Sequence, residues 1–353
     1  MNGPKPISGD PPRTSEKVLD RVRSRHARTI ARFISGIENG DPSVQAVLSA
    51  IGANAGKAQL VGVTGVPGAG KSTLVPALAQ EWASAGIPVA ILAVDPSSPL
   101  TGGAILGDRI RNEGGEAANI FFRSLASRGD GSGLSRALHE IVELLDGAGF
   151  GVILIETVGT GQSEIAITEL ADTTLLLTAP GLGDEIQAMK AGILEVADIV
   201  VVNKSDANPA GARTTALTLR QSLAEATKGH GLQEGVNCER AGEPMRWHPP
   251  VREVSALTRT GTAELVALIE AHRRYLDETG QKLRRTEQRR RGKFAQELRE
   301  ALFRIFSERR CVSLEEHNRT VASGSVSPRA AAEAAAWAAI REEEEEAFRR
   351  RKT

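Results

Sequence analysis

From residue 60 onward the chain alternates two kinds of hydrophobic spacing. Short runs of Val, Ile and Leu, apolar at nearly every position, are separated by longer stretches in which apolar residues recur every three or four. The short runs predict strands at 60–64, 89–95, 120–124, 152–157, 174–179, 199–203 and 251–255. Strands apolar on both sides are covered on both faces, and their alternation with helical patterns predicts βαβ units in a mostly parallel sheet. Leu74, Leu78 and Trp82 fall at i, i+4 and i+8 before Gly86, the mark of a helix with one apolar stripe and a glycine terminator. The expected class is α/β, with helices on both faces.

The ends of the chain read differently. Residues 14–56 form polar helical segments in which Val18, Val22, Ile30, Phe33 and Ile37 mark a docking face. After Tyr275 the composition turns to Arg, Glu and Ala, with helical patterns at 281–310 and 328–350; Ser327-Pro328 places a proline at a first helical position. Glu342 to Glu346 followed by Arg349, Arg350 and Arg351 read as a solvated helix end, and no internal repeat is present. This predicts three parts: an N-terminal helical extension over 1–56, a nucleotide domain over 57–276 and a C-terminal helical arm over 277–353.

Composition narrows the class of partner. Lys plus Arg and Asp plus Glu number 44 each in 353 residues, so no overall field draws the chain to nucleic acid or an anionic membrane. The first thirty residues lack a secretory apolar stretch, their acids argue against a transit peptide, and no run reaches membrane-spanning length. Cys238 and Cys311 are too far apart in sequence for a Cys-x-x-Cys knuckle, and a reducing cytoplasm is the expected compartment.

The chemistry begins where the first strand ends. Gly65-Val66-Pro67-Gly68-Ala69-Gly70-Lys71-Ser72, continued by Thr73, follows a strand and opens a helix, the context that G-x-x-x-x-G-K-[ST] requires. Phosphate oxygens need convergent backbone N–H donors, and glycines let the chain curl closely enough to supply them. The helix dipole favours the anion, Lys71 can reach β and γ oxygens, and the Ser72 hydroxyl can ligate Mg²⁺.

Asn203-Lys204-Ser205-Asp206 ends the sixth strand, at the carboxyl edge where such sheets bind ligands. Guanine presents N1–H and an N2 amine side by side, so the single carboxylate of Asp206 can accept both; adenine offers no such pair. Rejection of the wrong base by an unpaired carboxylate can reach about 10⁴-fold. Ser255-Ala256-Leu257 follow the next strand, and their backbone N–H groups are expected to meet the guanine carbonyl. In isolation such an N-K-x-D would be a solvated turn; its place downstream of a phosphate loop gives it meaning.

Mg²⁺ prefers hard oxygen ligands. Asp95 closes the second strand, Asp108 lies in the Gly-rich stretch 102–111, and Glu156 closes the fourth; each is a candidate ligand or an exposed loop carboxylate. Glu156-Thr157-Val158-Gly159 occupies the place of a D-x-x-G switch, in which the Gly159 N–H senses the γ-phosphate. Gln162 could orient the attacking water or simply cap the following helix; Asp95, or an arginine supplied by a partner, could act instead.

These residues, read together, resemble one family. Segments 65–73, 93–99 (Ala-Val-Asp-Pro-Ser-Ser-Pro), 102–109 (Gly-Gly-Ala-Ile-Leu-Gly-Asp-Arg), 156–164 and 183–195 look like the MeaB/ArgK GTPases, whose mitochondrial relative is the MMAA protein. The resemblance runs from about Leu60 to Leu276, with an echo at 324–328. It implies a P-loop NTPase fold and a GTP/GDP- and Mg²⁺-dependent G-protein chaperone of adenosylcobalamin-dependent acyl-CoA mutases, chiefly methylmalonyl-CoA mutase. It also implies a homodimer built with the C-terminal arm, and a further switch toward the mutase at Asp184, Glu185, Gln187 and Lys190. Thr160 and Leu182 depart slightly from the pattern, and the Ala- and Glu-rich arm beyond Cys311 matches poorly. Two other readings compete: a transport-associated ATPase or kinase, against which the guanine-reading loop argues, and a metal-insertion GTPase, for which six His and two distant Cys form no recognisable cluster.

Overall fold

A computed structural model describes residues 15–52, 55–96, 119–127, 137–157, 163–182, 193–226, 235–237, 245–308 and 318–337. Three helices come first: α1 (Glu16–Arg23), α2 (Ala27–Glu38) and α3 (Ser43–Ile51). The chain continues as β1 (Gln59–Gly65), α4 (Lys71–Ser84), β2 (Val89–Pro96), β3 (Ile120–Ser127), α5 (Leu138–Gly147), β4 (Val152–Thr157), α6 (Ser163–Leu170), β5 (Thr173–Thr178), α7 (Ile193–Val196), β6 (Ile199–Val202) and α8 (Pro209–Ala226). Then come β7 (Gly235–Asn237), β8 (Arg246–His248), β9 (Val251–Glu253), α9 (Thr262–Glu278) and α10 (Gln281–Glu308).

Seven strands form one sheet in the order β3-β2-β4-β1-β5-β6-β9, every neighbouring pair parallel. All seven are those the hydrophobic runs predict, with ends shifted by up to three residues. A two-stranded antiparallel pair, β7 with β8, was not expected. Its strands are three residues each, too short to show a period of two.

The sheet is packed on both faces, as its uniformly apolar strands require. Val61, Val63, Leu154, Leu175 and Leu177 point to one side, where Leu74, Leu78 and Trp82 of α4 and Leu265 and Ile269 of α9 meet them. Leu92, Ile153 and Ile155 point to the other, toward Leu138, Ile141 and Leu145 of α5. The same cluster holds Val22, Ile30, Phe33, Ile37 and Ile51, so the N-terminal helices dock through the predicted face, with Val18 at its margin. Polar ties accompany this packing. The Asp146 carboxylate accepts the backbone N–H groups of Gly56, of Lys57 at 3.2 Å and of Ala58 at 2.9 Å. Arg123 on β3 pairs with Glu38 on α2 at 2.7 Å.

The chain divides into two compact units, 1–287 and 288–353. The first holds α1–α3 and the sheet. The second holds the rest of α10 and helical residues 318–322 and 328–337, with Ala331 and Ala335 buried four apart. No described helix is long and apolar enough to cross a membrane.

Candidate nucleotide site

Parallel topology brings the carboxyl ends of β1, β4, β5 and β6 to one edge, and the predicted motifs emerge there. The turn after β1 depends on glycine at two points. Gly65 has φ +137°, and a Cβ on it would lie 2.0 Å from the Leu177 carbonyl oxygen; Gly70, the residue before α4, has φ +93°. Any other residue at either position would be strained. The Val66 N–H donates to Leu177 O at 3.3 Å, which moors the loop to β5. Val66 and Ala69 are buried, while Pro67 and Gly68 face outward.

Lys71 is almost wholly buried, and its ammonium donates to Gly65 O at 2.7 Å and Val66 O at 3.2 Å. The cation therefore sits inside the curl of the loop that its own helix terminates. Ser72 and Thr73 are exposed in the first turn of α4, and the Thr73 N–H donates to Gly70 O at 3.1 Å. The Ser72 hydroxyl donates to Glu156 Oε1 at 2.6 Å. Two of the predicted magnesium ligands, one from the first turn of α4 and one from β4, thus converge as hard oxygen donors. Asp95 is the penultimate residue of β2, one strand beyond Glu156, with Ala93 in register with Glu156. Its side chain lies outside the described residues, as do Asp108, Gly159, Gln162, Asp184, Glu185, Gln187 and Lys190.

The loop after β6 is built around Asn203. This side chain is 1% exposed; its Nδ2 donates to Ala69 O at 2.9 Å and its Oδ1 accepts the Ala256 N–H at 3.0 Å. One amide therefore joins the phosphate loop, the Asn203–Asp206 loop and the Ser255–Leu257 loop. Gly70 also makes room for it, since a Cβ there would stand 2.5 Å from Asn203 Nδ2. Sequence reasoning placed Asn203 at the base but missed this bridge, because a contact spanning 134 positions has no local signature. Lys204 takes φ +59°, and Ser205 N–H donates to Val254 O at 3.1 Å, so Lys204 and Asp206 project outward.

The third loop is more constrained than expected. The Ser255 N–H donates to Thr260 O at 2.9 Å, and the Ala256 N–H is the one held by Asn203. Among Ser255, Ala256 and Leu257, that leaves the N–H of Leu257, whose side chain is exposed, as the donor with no bond among the described residues.

Comparison with known proteins settles the lineage. The family profile described as Methylmalonyl Co-A mutase-associated GTPase MeaB matches residues 30–310. The chain belongs to the MeaB family. It is a P-loop GTPase and binds guanine nucleotide. A protein of Pyrococcus horikoshii provisionally named a GTPase is 41% identical over 266 residues, 75% of this chain and 80% of that one. The mouse protein named methylmalonic aciduria type A homolog, mitochondrial, is 38% identical over 206 residues, 58% of this chain and 46% of that one. A crystal structure described as an LAO/AO transport system kinase superposes with a TM-score of 0.63 at 26% identity, covering 91% of this chain and 96% of that one.

Proposed function

We propose that this MeaB-family GTPase is a G-protein chaperone that gates adenosylcobalamin loading of, and protects, methylmalonyl-CoA mutase or a closely related acyl-CoA mutase in the cytoplasm. The observation that carries the reading is the family match over residues 30–310, whose description names that mutase; the mouse relative's name agrees with it. The site chemistry is consistent with a nucleotide-driven signal. Residues Gly65–Thr73 would wrap the phosphates with backbone N–H groups, and the Lys71 ammonium would exchange the Gly65 and Val66 carbonyls for β and γ oxygens. Asp206 would accept the two guanine N–H groups, and the outward N–H of Leu257 would meet the guanine carbonyl.

The meeting of the Ser72 hydroxyl and Glu156 carboxylate fits a hard divalent cation, so these two, with Asp95 and Asp108 as further candidates, would hold Mg²⁺. A Mg²⁺ held there would supply positive charge to offset the negative charge that develops on the phosphates. Gly159 would report the γ-phosphate, Gln162 would orient the attacking water, and Asp184, Glu185, Gln187 and Lys190 would relay the state to the mutase.

The reading also includes a homodimer and the division into extension, nucleotide domain and arm at 56/57 and 276/277. Phe294, Leu298 and Leu302 are exposed at helical spacing on α10, and an apolar stripe of this kind is suited to burial by a second copy. A transport-associated ATPase or kinase is the alternative that a specific observation favours, namely the description of the superposed crystal structure. Affinity capture from the native cell with GTP or GDP present tests the main reading. Retention of a cobalamin-dependent mutase that differs between the two nucleotides is expected; a mutase absent from both, alongside a retained solute-binding protein, would favour the alternative.

A further inference from the structure

At the edge of the sheet opposite the nucleotide loops, two aspartates make the same reciprocal pair. Asp172 donates its N–H to Leu60 O at 2.8 Å and accepts the Leu60 N–H on Oδ2 at 3.0 Å. Asp198 donates its N–H to Thr174 O at 3.0 Å and accepts the Thr174 N–H on Oδ2 at 2.8 Å. The first pair ties the entry of β5 to β1, and the second ties the entry of β6 to β5. Both aspartates are buried.

One side chain spans the two. Arg285, in the second turn of α10, donates Nη1 to the Asp172 carbonyl and to Asp198 Oδ2 at 3.3 Å, and Nη2 to Asp198 Oδ1 at 3.1 Å. The planar guanidinium suits this two-pronged contact in a way an ammonium does not. Around it, Trp247 Nε1 donates to Asp198 O at 2.7 Å, and His272 Nε2 stands 3.3 Å from Asp198 Oδ1.

The three strands tied here carry the nucleotide loops at their other ends. β1 runs into Gly65, β5 accepts the N–H groups of Val66 and Asn203 on Leu177 O and Thr178 O, and β6 runs into Asn203. At about 3.3 Å per residue, the seven residues of β1 put roughly 20 Å between the two ends. A rigid strand transmits a shift of one end to the other, and the buried carboxylate of Asp198 loses its charge partner whenever the second turn of α10 lifts away.

We propose that Arg285 is a positioning residue through which the seating of the first turns of α10 and the binding of guanine nucleotide are coupled. The proposal rests on the phosphate and base loops forming the nucleotide site. Coupling of this kind is reciprocal, so whatever factor nucleotide adds to the seating of the helix, seating adds to nucleotide affinity.

The test uses the full-length protein, GDP with Mg²⁺, and the variants Arg285→Gln and Arg285→Lys. Amide exchange of a peptide covering residues 281–290 is followed with and without GDP, and GDP affinity is measured in parallel. In the wild type GDP should slow exchange there by about fivefold or more. Arg285→Gln should lose that increment and bind GDP more weakly by the same factor, with Arg285→Lys between. Exchange in α5, remote from the contact, should be unchanged in both variants. Unaltered GDP affinity in Arg285→Gln, a GDP-independent 281–290 peptide in the wild type, or loss of protection in α5 as well would each overturn the coupling. Wild-type protein that binds no GDP would instead remove the nucleotide-site reading on which it stands.

Discussion

Asn203→Ala is the most informative single perturbation of the site. The side chain is 1% exposed and makes two bonds, to Ala69 O at 2.9 Å and from the Ala256 N–H at 3.0 Å. Truncation leaves a buried carbonyl and a buried N–H without partners, at about 1–3 kcal/mol each when water cannot enter. A loss of about 2–6 kcal/mol in unfolding free energy is therefore expected. Because the amide joins three loops, the loss should extend to GDP binding. Asn203→Asp separates the two bonds: it keeps an acceptor for Ala256 but turns a carboxylate toward the Ala69 carbonyl, so it should not rescue. Urea unfolding monitored by circular dichroism, with and without GDP and Mg²⁺, reads both effects. Stability within about 0.5 kcal/mol of wild type, together with unchanged GDP affinity, would refute the bridging role.

Four further outcomes are expected. Lys71→Ala should abolish GTP hydrolysis, read as phosphate release, because the ammonium sits within the curl of the loop. Asp206→Asn should shift preference from guanine toward xanthine nucleotides in competition binding, since an amide can donate to the xanthine 2-carbonyl where the carboxylate accepts from guanine. Burial holds the His272 imidazole down to about 4 from 6.5, against the attraction of Asp198, so the folded state resists protonation while the unfolded state accepts it. Stability should then fall as pH drops from 6.5 toward 4, by about 3 kcal/mol in all, and His272→Asn should flatten that part of the profile in urea titrations at stepped pH. If the proposed homodimer is built on the exposed stripe of α10, Phe294→Glu should shift sedimentation toward monomer, and unchanged sedimentation would remove that face from the proposed contact.

The fold was legible because strands buried on both faces need continuous apolar runs, and Leu60, Val152 and Ile199 each stand at the head of such a run. The phosphate loop was legible for a different reason: a backbone at φ +137° and φ +93° admits little but Gly65 and Gly70, so geometry is written directly into residue type. Ser72 was legible as an oxygen donor opening the helix after the phosphate loop and Glu156 as one near the end of a strand, though their direct hydrogen bond was not. Contacts between distant polar residues left no such trace. Arg285 sits in an Arg-rich run with Arg284, Arg289, Arg290 and Arg291, and only the packing of α10 singles it out for Asp198. The bridge by Asn203 and the engagement of the Ser255 and Ala256 N–H groups belong to the same class, since both depend on loops brought together by the sheet.

Calorimetric titration of the wild-type protein with GTP and with ATP, each with Mg²⁺, tests the central claim most directly. The loop Gly65–Ser72 paired with Asp206 predicts binding of GTP with one site per chain and ATP weaker by about 10²-fold or more. Equal affinities for the two, or no heat with GTP, would contradict it.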